Sequence, residues 1–197
     1  MPAFDIRGIR FGKYVNTAGT ISYSNFASFG DAIGVNLELS FAEGRLYAEG
    51  KLAEYLREAT GGSISVAVKY IPAASQQALF GSASNSRSVT VGGTTKTITS
   101  TKETAEDTPN YVGLAFYAPD MVDGSKKFTC VFVAKALFGA PAMAFRTREG
   151  NTITFQTPTT TGEFLPDDSA AAVIREVAVV DSAAEAVAWC KAVLGET

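Results

Sequence analysis

Apolar and polar residues alternate by twos along several stretches of this chain, the signature of a half-buried β-strand. Val35, Leu37, Leu39 and Phe41 fall on one face, with Asn36, Glu38 and Ser40 opposite. Ile64, Val66, Val68 and Tyr70 repeat the pattern against Ser63, Ser65, Ala67 and Lys69. Ile153 and Phe155 do so against Thr152, Thr154 and Gln156. The longest example puts Phe128, Cys130, Phe132, Ala134, Ala136 and Phe138 on one face. These apolar faces, Phe155 included, are predicted to be core. Val89-Thr90-Val91 and the stretch 94–99 read as a hairpin about Gly92-Gly93, because two glycines supply the positive φ of a two-residue turn.

Helical spacing is confined to two places. A short helix is predicted over 74–80, stopped by Gly81. A longer one is predicted over 183–194. Ser182-Ala183-Ala184-Glu185 has the form of a capping box, and Gly195 stands where a glycine ends a helix. Its apolar stripe is Val187, Cys190 and Leu194, with Val193 beside them. Two stretches, 42–62 and 82–110, mix Gly, Ser, Thr and charge and read as long connections, which in compact domains are functional or disordered. Residues 166–172 read as a linker. The fold class expected is mainly β: an antiparallel β-sandwich or barrel flanked by one or two helices. It is expected to form a single domain over 1–197, with 173–197 as a C-terminal strand-helix extension packed on the barrel or on a neighbour.

Composition narrows the chemistry. The 197 residues are 46% hydrophobic and carry 17 basic against 20 acidic groups, a formal net charge of -3. Tight nucleic-acid binding needs a clustered excess of Lys and Arg, which is not seen here. There is no histidine, so Ser-His-Asp and Cys-His catalysis and His-based metal sites are excluded. Cys130 and Cys190 are expected to be reduced, buried and distant from each other. The start, Met1-Pro2-Ala3-Phe4-Asp5, has no basic region followed by an apolar run, and no run reaches the ~20 apolar residues that cross a bilayer. The chain is therefore expected to be made in a cytoplasm and to stay soluble, with no membrane partner. Gly92-Gly93-Thr94-Thr95-Lys96-Thr97 lacks the glycine directly before the lysine that a phosphate-binding loop requires. Asp167-Asp168 and Glu106-Asp107 lack the spaced oxygen ligands of a calcium loop and read as solvated acids. No catalytic residue, cofactor or metal site is predicted.

The charged segment 42–60 is too long for a turn and holds large apolar groups. It is predicted to be the main contact between subunits or between rings of them, through Tyr47, Glu49, Lys51, Glu54, Tyr55, Leu56 and Arg57. For Tyr47, Tyr55 and Leu56 a contact with the chain's own core is the alternative.

The order of elements carries a resemblance. Gly44-Arg45-Leu46-Tyr47-Ala48-Glu49 with Leu52-Ala53-Glu54 leads to Thr60-Gly61-Gly62 and an alternating strand. Tyr111-Val112-Gly113-Leu114-Ala115-Phe116 is followed by Asp123-Gly124 and Lys126-Lys127-Phe128. Lys135-Ala136-Leu137-Phe138, Ala140-Pro141 and Ile153-Thr154-Phe155-Gln156-Thr157-Pro158-Thr159 complete the series. From about Arg7 to about Gly162 the chain resembles the major tail protein, or tail-tube protein, of long-tailed bacteriophages. The resemblance implies a structural subunit of a phage or phage-derived tail, without catalysis. Such subunits form hexameric rings that stack into a tube, whose joined inner sheets line a channel for DNA on ejection. The implied partners are copies of itself, the tape measure, terminator and distal tail proteins, and DNA in transit; the implied location is the virion. If the strands at 35–41 and 63–70 pair and belong to that inner sheet, Asn36, Glu38, Ser40, Ser63 and Ser65 line the channel; otherwise their polar face meets solvent outside. The alternative function is a β-sandwich carbohydrate-binding or adhesive module, and a carboxylate enzyme ranks after it.

Overall fold

Hairpins dominate the topology because two-residue turns recur between strands. The computed structural model describes residues 5–145, 147, 151 and 155–196. Met1 to Phe4, and Thr152, Ile153 and Thr154 of the predicted late strand, lie outside the described residues. The elements run β1 (Arg7–Thr17), β2 (Thr20–Ser28), β3 (Ala32–Ala48), β4 (Lys51–Val68), α1 (Ala73–Phe80), β5 (Ala83–Val91), β6 (Thr94–Lys102), β7 (Tyr111–Val122), β8 (Ser125–Phe138), β9 (Thr159–Leu165), β10 (Arg175–Val180) and α2 (Ala183–Leu194). The chain is mainly β, as expected. One antiparallel sheet has the order β2-β1-β7-β8-β9-β4-β3, with β10 also paired to β8, while β5 and β6 form a ribbon of their own. Ala18-Gly19, Glu49-Gly50, Gly92-Gly93 and Asp123-Gly124 all have positive φ at both residues. That conformation matches the twist of the flanking strands and makes the hairpins β1–β2, β3–β4, β5–β6 and β7–β8 tight.

The sheet curls round a first core. Phe11 of β1, Val66 of β4, Leu114 of β7, Phe138 of β8 and Phe164 of β9 all meet there. Phe29 packs edge-on against Phe11 and Phe138, with ring centres 5.9 and 5.2 Å apart. α1 adds Leu79 and Phe80 to this core. A second core lies on the other face of the sheet, where Ala186, Cys190 and Leu194 of α2 cover Ala115 and Tyr117 of β7 and Phe128, Cys130, Phe132 and Ala134 of β8. β7 is thus buried on both faces, which is why its sequence is a continuous apolar run and not an alternation.

Several expectations change. Phe128 to Phe138 do not share one face. Between the pairs Leu114–Val133 and Val112–Ala136, β8 holds one residue more than β7. This bulge exchanges the faces, so Ala136 and Phe138 enter the first core and the earlier members enter the second. The segment 42–62 is not a loose connection but two paired strands and their turn, and of 82–110 the part 83–102 is paired as well, while 103–110 is a connection as expected. Tyr70 follows the end of β4 and is exposed, and Phe41 is exposed too. Phe155 is 86% exposed and outside any strand, so it is not core. α2 has the predicted bounds and capping box, with the Ser182 hydroxyl accepting from the Glu185 amide. It buries Ala186 in place of Val187. The cysteines are free but not distant: both lie in the second core, in contact with each other. Burial pushes the Cys190 thiol up to about 12. The C-terminal extension packs on its own sheet, through β10 on β8 and α2 on β7.

Candidate functional site

β3 and β4 stay paired from Ala32–Val68 in the body to Ala48–Lys51 at the tip. Every residue from 41 to 60 is exposed. The distal half of the hairpin is therefore an arm, bare on both faces. From Phe41 to Glu49, at about 3.3 Å per residue, it reaches roughly 30 Å. At its elbow β4 holds one extra residue, Thr60, between the pairs Ser40–Gly61 and Phe41–Ala59. Gly61 has φ +134°, and a side chain there would strike the Phe164 carbonyl. A side chain at Gly62 would strike the Glu38 carbonyl. Glycine is what lets the strand bend here against β9.

The pairing register sorts the arm into two faces. One carries Phe41, Glu43, Arg45 and Tyr47 beside Ala59, Arg57, Tyr55 and Leu52. On it the Arg57 guanidinium lies 3.8 Å above the Phe41 ring and Arg45 lies 5.5 Å from the Tyr55 ring. Arg45 donates to Glu43 at 3.3 Å, and Arg57 is 3.6 Å from the same carboxylate. A hydrogen bond from Tyr55 holds the Glu43 carboxyl below its usual range, with Arg45 and Arg57 adding to it, and the same contact raises the Tyr55 hydroxyl. The other face carries Ala42, Gly44, Leu46 and Ala48 beside Glu58, Leu56, Glu54 and Lys51. The predicted contact residues thus divide: Tyr47, Tyr55 and Arg57 on the first face, Lys51, Glu54 and Leu56 on the second, Glu49 in the turn. Tyr47 and Leu56 are 60% and 61% exposed, which rules out the core contact for them; Tyr55 is exposed as well. Glu43, Arg45, Leu46 and Leu52, inside the predicted segment but not singled out in it, belong to the same surface, as does Phe41 just outside it.

The predicted polar face also exists. Asn36 pairs with Ser65, and Glu38 with Ser63. β9 extends both rows, placing Thr161 beside Ser65 and Glu163 beside Ser63. Val35, Leu37, Ile64 and Val66 point the other way, into the first core. The Asn36 amide donates to Glu38 at 3.2 Å. Glu163 was not predicted; its alternation with Phe164 across a short strand was the available signal.

A second polar cluster was read as a solvated acid pair. Lys135 Nζ donates to both Asp168 carboxylate oxygens at 2.8 Å. Tyr14 donates to Asp168 at 3.0 Å and Asn16 at 3.2 Å. Lys135 holds the Asp168 carboxyl below its usual range, helped by Tyr14. Asp167 meanwhile accepts from the Ser169 hydroxyl at 2.6 Å and the Val173 amide at 2.8 Å. The presumed linker is a tied-down loop fixed to β1 and β8.

Among the described residues no group of three His, Cys, Asp or Glu could hold a metal ion, and no helix is long and apolar enough to cross a membrane. What the geometry offers is surface: an arm with apolar groups on two faces, a separate ribbon, and an acidic-neutral sheet face. No family model matches the chain, and no curated protein matches it.

Proposed function

We propose that this chain is the structural subunit of a tail tube in a phage or phage-derived particle, building stacked hexameric rings round a channel for DNA. The observation that carries the proposal is the arm. A two-stranded ribbon alone is marginal in water, and this one leaves Leu46, Tyr47, Leu52 and Leu56 bare. Seating it between neighbouring subunits would bury both faces at once. The sheet order supports the same reading. Among the described residues β2, β3 and β10 each have an unpaired edge, and such edges template uncontrolled pairing unless another strand covers them. Edge-to-edge joining of β2 to a neighbour's β3 within a ring removes two of them and makes one continuous wall. Head-to-tail contacts of this kind close by rotation within the ring, while stacking contacts propagate.

In this arrangement the face holding Asn36, Glu38, Ser40, Ser63 and Ser65 lines the channel, with Glu163 added to it. Duplex DNA is held by Lys and Arg on its phosphates, and none of these six side chains is either; Lys135, on the same face, is held by Asp168. The partners are other copies of the chain, the tape measure, terminator and distal tail proteins, and DNA in transit. A sugar-binding module fits less well. Such a module needs an open aromatic platform, and on the arm two of the three rings, Phe41 and Tyr55, already carry guanidinium groups, which leaves Tyr47 as the open one there.

Replacing residues 42–60 with a short Gly-Ser linker tests the proposal. The expected product is a folded monomer that builds no tubes; normal tubes from the shortened chain would contradict it.

A further inference from the structure

We propose that the β5–β6 ribbon of one subunit is the seat for the β3–β4 arm of another copy. This rests on reading the chain as a self-assembling subunit, and it names the surface that receives the arm.

The ribbon pairs Val89 with Lys96 and Arg87 with Ile98, with Val91 beyond them, all on one face. The opposite face is Ser and Thr throughout, in the pairs Ser84–Thr101, Ser86–Thr99, Ser88–Thr97 and Thr90–Thr95. Hydroxyls are satisfied by water; the Val89–Ile98 face is not. Val91 and Ile98 are 66% and 53% exposed. Between Ala83 and Lys102 the ribbon has three cations, Arg87, Lys96 and Lys102, and no acid.

The arm's second face is its complement. Leu46 lies opposite Glu54, Leu56 opposite Gly44, and Glu58 one rung further along. Each surface is thus an apolar pair flanked by charge, Glu54 and Glu58 on the arm and Arg87 and Lys96 on the ribbon, with Lys51 further out at the arm's tip beside Ala48. Sheets stack face to face at about 10 Å. At that spacing Leu46 and Leu56 rest on Val89 and Ile98, while Glu54 and Glu58 reach Arg87 and Lys96 at the rim. Charge complementarity of this sort fixes register and suppresses wrong pairings. The arm's main packing partner in its own chain is its other strand, and the ribbon's main packing on another element of its chain is that of β6 on α1. Each copy owns one arm and one seat, so the contact repeats from subunit to subunit.

Charge reversal tests this. Arg87→Glu with Lys96→Glu, or Glu54→Lys with Glu58→Lys, sets like charges against each other. Either pair should raise the concentration needed for assembly by more than about tenfold, read by sedimentation velocity and electron microscopy. All four changes in one chain should restore assembly. Wild-type assembly by the ribbon pair, or no rescue in the fourfold variant, overturns the seat while leaving the tube reading intact. A wild-type chain that never assembles overturns both. Should a reversal unfold the chain, a mixture of Leu56→Cys and Ile98→Cys chains decides instead. Treatment with diamide should oxidise the two thiols to an intermolecular disulfide, and a mixture giving no cross-linked pair contradicts the seat.

Discussion

Asp168 shows how much one side chain decides here. It joins a loop to the sheet through Lys135, Tyr14 and Asn16, and so sets where the chain turns back toward β10. Its carboxyl titrates below the usual range in the folded protein, mainly because of Lys135. A depressed folded-state pKa stabilises at pH values above the unfolded value, about 4 for Asp. That contribution is lost as pH falls through the lower folded value. Asp168→Asn is therefore expected to lower the melting temperature at neutral pH, with the gap from wild type closing as the pH drops below about 4. A gap that persists unchanged into acid would show that the ion pair is not its source. The residue was visible in the sequence, but its partners were not. Tyr14 and Lys135 lie far from it along the chain and meet it only because β1, β7 and β8 are adjacent in the sheet.

At the scale of elements, periodicity served well where one face is buried and failed where two are, or none. α2 was legible to the residue because its cap is local: Ser182 and Glu185 satisfy each other's end of the helix regardless of the fold. Ser182→Ala should cost about 1 kcal/mol, measurable by denaturant unfolding; a neutral result would mean the box contributes nothing to α2. The bulge in β8 was not legible, since it depends on β7 having one residue fewer. The arm was read as a connection for a related reason. Apolar residues on both faces, such as Tyr47 on one and Leu56 on the other, erase the alternation by which a strand is recognised. Its length sets the segment apart in the sequence, and Glu49-Gly50 is the turn signal within it. The β5–β6 hairpin was visible at its glycines, yet the uniform Ser/Thr face concealed how far the strands run.

For the whole molecule, self-assembly would turn a curled sheet with free edges at β2, β3 and β10, and two bare ribbons, into a repeating wall. Its polar face makes a separate claim. Glu38→Lys changes an exposed strand position, so the monomer should fold and tubes should form. Each subunit would then present an added cation to the channel, and DNA release should slow, more strongly at low salt where screening is weaker. Release at the wild-type rate, or Glu38 found on the outer wall of an assembled tube, would remove this face from the lumen.

The central claim is self-assembly into a hollow polymer, and electron microscopy of the purified wild-type chain over rising concentration tests it most directly. The account predicts rings with a central hole that stack into tubes, with the arm bridging neighbouring subunits. A uniform field of monomers at every concentration would contradict it.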